Sequence, residues 1–182
     1  MSARIALTVS LLMICSLPAF ADDVTPEQKS KLDARFDVLE KLAAEPDIVA
    51  AVKAGNAEQS PEVKAMTQDK WKAATVLDPM VRNLTKNAAA AVLKKAQAAD
   101  GALSEAFLSA ANGTKVAFLT KTTSWSHKGK PKHDDPMAGK RWTGPLEVDA
   151  SSGLNQVQIA VPVILDGKPA GSLVVGYQLT KL

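Results

Sequence analysis

Beyond position 21 the chain has no cysteine, because its one cysteine is Cys15. That absence excludes disulfides, thiolate catalysis and cysteine–metal sites from everything downstream. Histidine is almost as scarce, with two in 182 residues. His127 and His133, followed by Asp134 and Asp135, form the one metal-like cluster of nitrogen and oxygen donors. Lys128, Lys130 and Lys132 stand among them and would repel a cation, so no metal and no other cofactor is expected. The sequence also lacks a Gly-rich phosphate loop, a His-Glu-x-x-His pair and a serine in a nucleophile-elbow setting. Catalysis thus has no positive support, and the chain is read as a non-enzyme. An excess of one charge is missing too. Lys and Arg number 22 against 19 Asp and Glu, too even a balance to argue for nucleic acid. Past residue 21 no apolar run approaches the ~20 residues of a membrane span.

What is present begins with an export signal. Arg4 supplies the positive start, Ile5 to Leu17 the mostly apolar middle, and Ala19-Phe20-Ala21 the small-residue cleavage site. Leu12-Met13-Ile14 lacks the small residues expected before a lipidated cysteine at position 15. The expectation is cleavage after Ala21 and a periplasmic product. Residues 22–182 are expected to form one domain, helical over 22–101 and mainly strands over 102–182, with no output domain after Leu182.

Thr25-Pro26-Glu27-Gln28 is a helix start, with a Thr N-cap, Pro at the first helical position and Gln closing a capping box. Leu32, Phe36, Leu39 and Leu42 follow at spacings of three and four. A break is expected near Pro46, with Asp47 capping a short helix that Gly55 ends. Ser60-Pro61 and Asp78-Pro79 start further helices, the second running to about Asp100-Gly101. Residues 104–111 read as strand or as the end of a helix. Strand is preferred because Asn112-Gly113, a type I′ turn signal, leads straight into an apolar run. Thr120 to Pro145 is expected to be a long surface connection, and Leu146 to Asp149 a short strand. The last stretch is the clearest. Val157, Ile159, Val161 and Val163, then Leu173, Val175, Tyr177 and Leu179, recur with period two about an Asp166-Gly167 turn. Their alternates, Gln156, Gln158, Ala160, Ser172, Val174, Gly176 and Gln178, make a small, polar second face, fit to line a cavity or lie under a helix. The fold class is α+β, with helices first and about five antiparallel strands after.

Asn112-Gly113 between strands, Leu146 to Gly153, Gln156 to Val163, Asp166-Gly-Lys168 and Gly171 to Val175 together resemble the extracytoplasmic Cache (PDC, PAS-like) sensor fold, in a stand-alone exported form. The resemblance covers roughly residues 25–182 and is most specific from Phe107 onward. Thr123-Ser124-Trp125 is similar to a Thr-Ser-Asp-Tyr-Trp stretch of that family, with the Asp and Tyr missing. The resemblance implies long N-terminal helices on one face of a PAS-like antiparallel sheet. It places a small-molecule pocket on the other face, under the loop between the second and third strands. Amino acids, carboxylates and amines are the implied ligands. A chain without a signalling module implies a separate membrane partner.

Within that frame Trp125 and Trp142 are candidate pocket walls, and Arg141 a candidate clamp for a carboxylate. Asp149 matches an Asp-x-Ser position that implies contact with a ligand amine, though Asp before Ser151-Ser152-Gly153 is also ordinary turn chemistry. Tyr177 is a candidate contact but alternates with apolar residues, which favours a core role. Three readings stay open. The first is a module for a small, amino-acid-like or carboxylate ligand. The second is an interaction protein, a homodimer or partner complex through an exposed stripe on Leu32, Phe36 and Leu39. The third is a metal-dependent enzyme, which requires His127 and His133 to converge.

Overall fold

The first helix begins where its capping signal lies. In the computed structural model, residues 24–57, 59–148 and 155–182 are described; the expected export signal and Asp149 lie outside them. Helix α1 spans Pro26–Ala43. The Thr25 hydroxyl accepts from the Gln28 N–H, and the Gln28 side chain accepts from the Thr25 N–H. Helices α2 (Pro46–Asn56), α3 (Pro61–Lys64), α4 (Gln68–Ala73), α5 (Pro79–Lys86) and α6 (Ala88–Ala99) follow. Pro26, Pro46, Pro61 and Pro79 each open a helix, where the missing N–H would have no partner.

Three local expectations are corrected. Glu45, not Asp47, is the N-cap of α2, and the helix runs through Gly55 instead of ending there. Gly55 serves close approach: a Cβ built on it would lie 2.3 Å from the Val116 side chain. The single helix expected from Pro79 to Asp100 breaks at Asn87. That side chain caps α6 through the Ala90 N–H and donates to the Val116 carbonyl, which ties the break to the sheet.

Among the described residues there are five strands, β1 (Leu103–Ala110), β2 (Lys115–Phe118), β3 (Trp142–Val148), β4 (Asn155–Leu165) and β5 (Lys168–Gln178). They form one antiparallel sheet in the order β2-β1-β5-β4-β3. Residues 104–110 are therefore strand. The β4–β5 turn has positive φ at both Asp166 (52°) and Gly167 (74°), as a type I′ turn needs. The Asn112-Gly113 turn is different: only Gly113 has positive φ, and Ala110 pairs across to Thr114. This is a three-residue loop with a left-handed glycine, not type I′. The long connection is not all loop either, since α7 (Pro131–Met137) forms within it.

The sheet is covered on both sides. Val157, Ile159, Val161, Val163, Leu173, Val175 and Tyr177 face the main core with Leu32, Phe36, Leu39, Ile48, Val52 and Leu93 of the helices. Burying such an aliphatic side chain contributes roughly 1.5–3 kcal/mol, so this face dominates the stability of the sheet. The apolar stripe of α1 is spent here, with Leu32 and Leu39 each 1% exposed. The other face carries a smaller apolar cluster of Trp71, Val81, Phe107, Phe118, Trp125, Ala160 and Val174. Among the described residues no helix is long and apolar enough to cross a membrane.

Candidate functional site

The second sheet face is where polar side chains are buried. Along β1, β4 and β5 the alternation that sends aliphatics to the helices sends Glu105, Phe107 and Ser109, Gln156 and Gln158, and Ser172 the other way. The segment between β2 and β3 folds over them. Trp71 of α4 donates from its indole to the Thr122 carbonyl at 2.7 Å. Gln68 brackets the same segment, donating to Thr123 O and accepting from Trp125 N. Further along, α7 sits on the sheet through His133. Its Nε2 lies 3.2 Å from the Ala111 carbonyl, which can only accept, so Nε2 carries the proton and Nδ1 accepts from the Ser172 hydroxyl at 2.7 Å.

Between this cover and the sheet lies a cleft enclosing about 160 Å³. Glu105, Gln156 and Gln158 form its floor, Lys121, Thr122, Thr123, His127 and Lys132 its cover, and Glu147 its β3 side. Gln158 joins the two charges: its Oε1 accepts from Lys132 Nζ, and its Nε2 donates to Glu105 at 2.7 Å. Glu105 also meets Gln156 Nε2 at 3.4 Å. Burial lowers the Lys132 pKa, while Glu147 and Glu105 oppose that shift. The cleft thus offers a carboxylate, an ammonium and amides within one small volume, which suits a molecule carrying both charges.

Beneath it lies an unusual group. Lys115 is 2% exposed, and its ammonium reaches Ser109 Oγ at 3.1 Å, the His127 Nδ1 atom and the face of Phe107 at 4.2 Å. His127 stacks on the same ring, with centroids 4.8 Å apart. Burial drives the Lys115 pKa well below its ordinary value, only partly offset by Glu105. Burial, then the neighbouring Lys115, pushes His127 down to about 2. His127 is therefore neutral near pH 7, with Lys115 donating to Nδ1 and the imidazole proton on Nε2.

Of the residues singled out from the sequence, Trp125 and Trp142 share the apolar cluster of the second sheet face, whereas Arg141 and Tyr177 lie elsewhere. Trp125 is buried against Trp71, ring centroids 5.0 Å apart. Trp142 is half-buried on β3, and Lys132 lies 5.9 Å from its ring centroid. Arg141 turns to α1, donating to Glu40 at 2.7 Å and Asp37 at 2.8 Å. Tyr177 belongs to the helix-facing core with Arg35 over its ring, and Asp149 is outside the described residues. None of the four described residues lines the cleft. The ring nitrogens of the two histidines make the protein contacts given above, and no group of three His, Cys, Asp or Glu side chains that could hold a metal occurs among the described residues. His133, expected on a surface loop, is 1% exposed. Sequence reading missed Glu105, Lys115 and Lys132. Glu105 was legible as a second-face position of β1, two residues before Phe107, whereas the lysines had no periodic signal.

No protein-family model and no curated protein matches the chain. Among solved structures it is similar to the sensor domain of the V. cholerae histidine kinase DctB, at 17% identity and TM-score 0.44 over 85% of this chain and 58% of that one. It is similar to the ligand-binding domain of the Pseudomonas aeruginosa amino acid chemoreceptor PctC, solved with GABA, at 16% identity and TM-score 0.46 over 84% and 56%. The ligand-binding domain of the Pseudomonas fluorescens chemoreceptor CtaA, solved with L-alanine, gives 14% identity and TM-score 0.42 over 82% and 61%. The chain spans roughly three-fifths of the length of these structures.

Proposed function

We propose that the chain is an exported, non-catalytic module that binds a small zwitterionic molecule in the cleft between the second sheet face and the β2–β3 segment. The supporting observation is the charge arrangement there: Lys132 and Glu105 are held by one side chain, Gln158, with Glu147 and Lys121 at the margin. Lys132 and Lys121 take a carboxylate; Glu105 and Glu147 take an ammonium group. About 160 Å³ limits the ligand to the size of a small amino acid. Trp142 contributes by backing Lys132. The module acts with a separate membrane partner, and its export follows from the leader, so N-terminal sequencing of the periplasmic form should begin at Asp22. The interaction-protein reading loses its main feature, because Leu32, Phe36 and Leu39 are buried.

The test is a thermal-shift screen with glycine, L-alanine, GABA, small carboxylates and amines, followed by calorimetric titration, since selective binding to the folded state raises the melting temperature. Lys132→Ala and Glu105→Gln should each weaken binding by about 1.5–3 kcal/mol, the range for a charge-assisted hydrogen bond. A screen that moves nothing, or a hit indifferent to both substitutions, would remove the assignment.

A further inference from the structure

A second and larger cavity lies away from that cleft and shares no residue with it. It encloses about 430 Å³ between α2, the start of α3, α5–α6 and the β2 edge. That volume falls within the ~300–1,000 Å³ of small-molecule sites. The cavity exists because the walls are short side chains: Ala50, Ala51 and Ala54 on α2 face Ala88 and Ala89 on α6 across the Gly55–Val116 contact. Val63, Leu84 and Val116 complete an apolar interior.

Its polar lining is already allocated. Gln59 Nε2 donates to the Gly55 carbonyl at 3.1 Å and to Thr114 Oγ1 at 3.3 Å. Asn87 donates to Val116 O and accepts from Ala90 N. Thr114 Oγ1 donates to Asn112 Oδ1 at 2.7 Å, and the Ser60 hydroxyl accepts from Val63 N. Lys115 directs its ammonium to Ser109 and His127 on the other face. Among the described residues Asp47 is the one lining carboxylate, and it is exposed at the margin with no ion pair among them. An open, mostly apolar groove whose polar side chains bond largely within the protein, with one carboxylate at its edge, suits an apolar body bearing a single positive charge.

We propose that this chamber is a second ligand site, for a small amphiphilic ammonium compound whose apolar body fills the alanine-walled space and whose ammonium group meets Asp47. The protonated amine is the occupant, and the site is independent of the zwitterion cleft.

The test uses 2-phenylethylamine, with 2-phenylethanol as its neutral counterpart, titrated calorimetrically into the full mature chain. The amine should bind saturably and the alcohol at least about tenfold more weakly, the least that a charge-assisted hydrogen bond confers. Asp47→Asn should abolish that preference. Ala54→Leu, which fills the chamber from an exposed helical position, should remove binding without lowering the melting temperature. Lys132→Ala, in the other cleft, should leave amine binding unchanged. No saturable binding at millimolar amine, equal affinity for the alcohol, or binding that survives Ala54→Leu but disappears with Lys132→Ala would each overturn the proposal. The last outcome would place the amine in the first cleft and leave that reading intact.

Discussion

Acid should weaken this fold through His127, and by an amount the structure sets. In the folded chain His127 is enclosed by Phe107, Lys115 and the β2–β3 segment, and its pKa falls from the ordinary 6.5 to about 2. The unfolded chain recovers the ordinary value. Above 6.5 both states are neutral and the histidine has no pH effect. Below 6.5 the unfolded state takes a proton that the folded state refuses, so stability falls as pH falls, and continues to fall until about pH 2. At pH 5 the gap of 1.5 units below 6.5 corresponds to about 2 kcal/mol, at 1.36 kcal/mol per unit. His133 is lowered as well, first by burial, and adds to the loss with the same sign. The assay is urea unfolding at pH 7 and pH 5, with the slope of free energy against urea checked for constancy. His127→Gln retains an acceptor for Lys115 but cannot titrate. The wild type should lose about 2 kcal/mol more than this variant between the two pH values, or roughly 4–8 °C in melting temperature for a chain of this size. Equal losses would mean that His127 is accessible to protons in the folded state, and the buried Lys115–His127 pair would have to be abandoned.

Three further outcomes follow from the same packing. Lys115→Met should raise the melting temperature at pH 7, because burial disfavours the charged lysine relative to the unfolded chain; the advantage should shrink as pH approaches 10.5, where the unfolded lysine loses its charge. A destabilised Lys115→Met at both pH values would show that its bonds to Ser109 and His127 outweigh the burial penalty. His133→Ala should cost about 1–3 kcal/mol in urea unfolding, since it leaves the Ser172 hydroxyl and Ala111 carbonyl without their partner; a change near ~0.5 kcal/mol would fit a surface residue instead. Gly55→Ala should destabilise the protein even though alanine in a helix interior normally gains up to ~1 kcal/mol, because its methyl would meet Val116 at 2.3 Å. A more stable variant by thermal melting would show that α2 and β2 can separate at little cost.

What the sequence determined by itself is what neighbours along the chain dictate. Thr25 and Gln28 reach one another across one helical turn, and Asp166-Gly167 supplies the two positive φ values of a tight hairpin. The period of two from Val157 to Tyr177 separated a helix-facing side from a polar side, because a strand has no other way to present its residues. The same period places Gln156 and Gln158 on the polar side without reference to their partners. Tertiary structure decided what lies opposite each face. Nothing near position 141 signals that Asp37 and Glu40, a hundred residues earlier, would engage Arg141 from α1. Nothing in Pro131-Lys132-His133 says that this turn of helix would be laid onto Ser172 and Gln158. Lys115 reads as one more surface lysine on a short strand, yet the β2–β3 segment closes over it and removes its water. Charge and pKa at a site depend on burial and on groups distant in sequence, and both exist only once the chain has closed on itself.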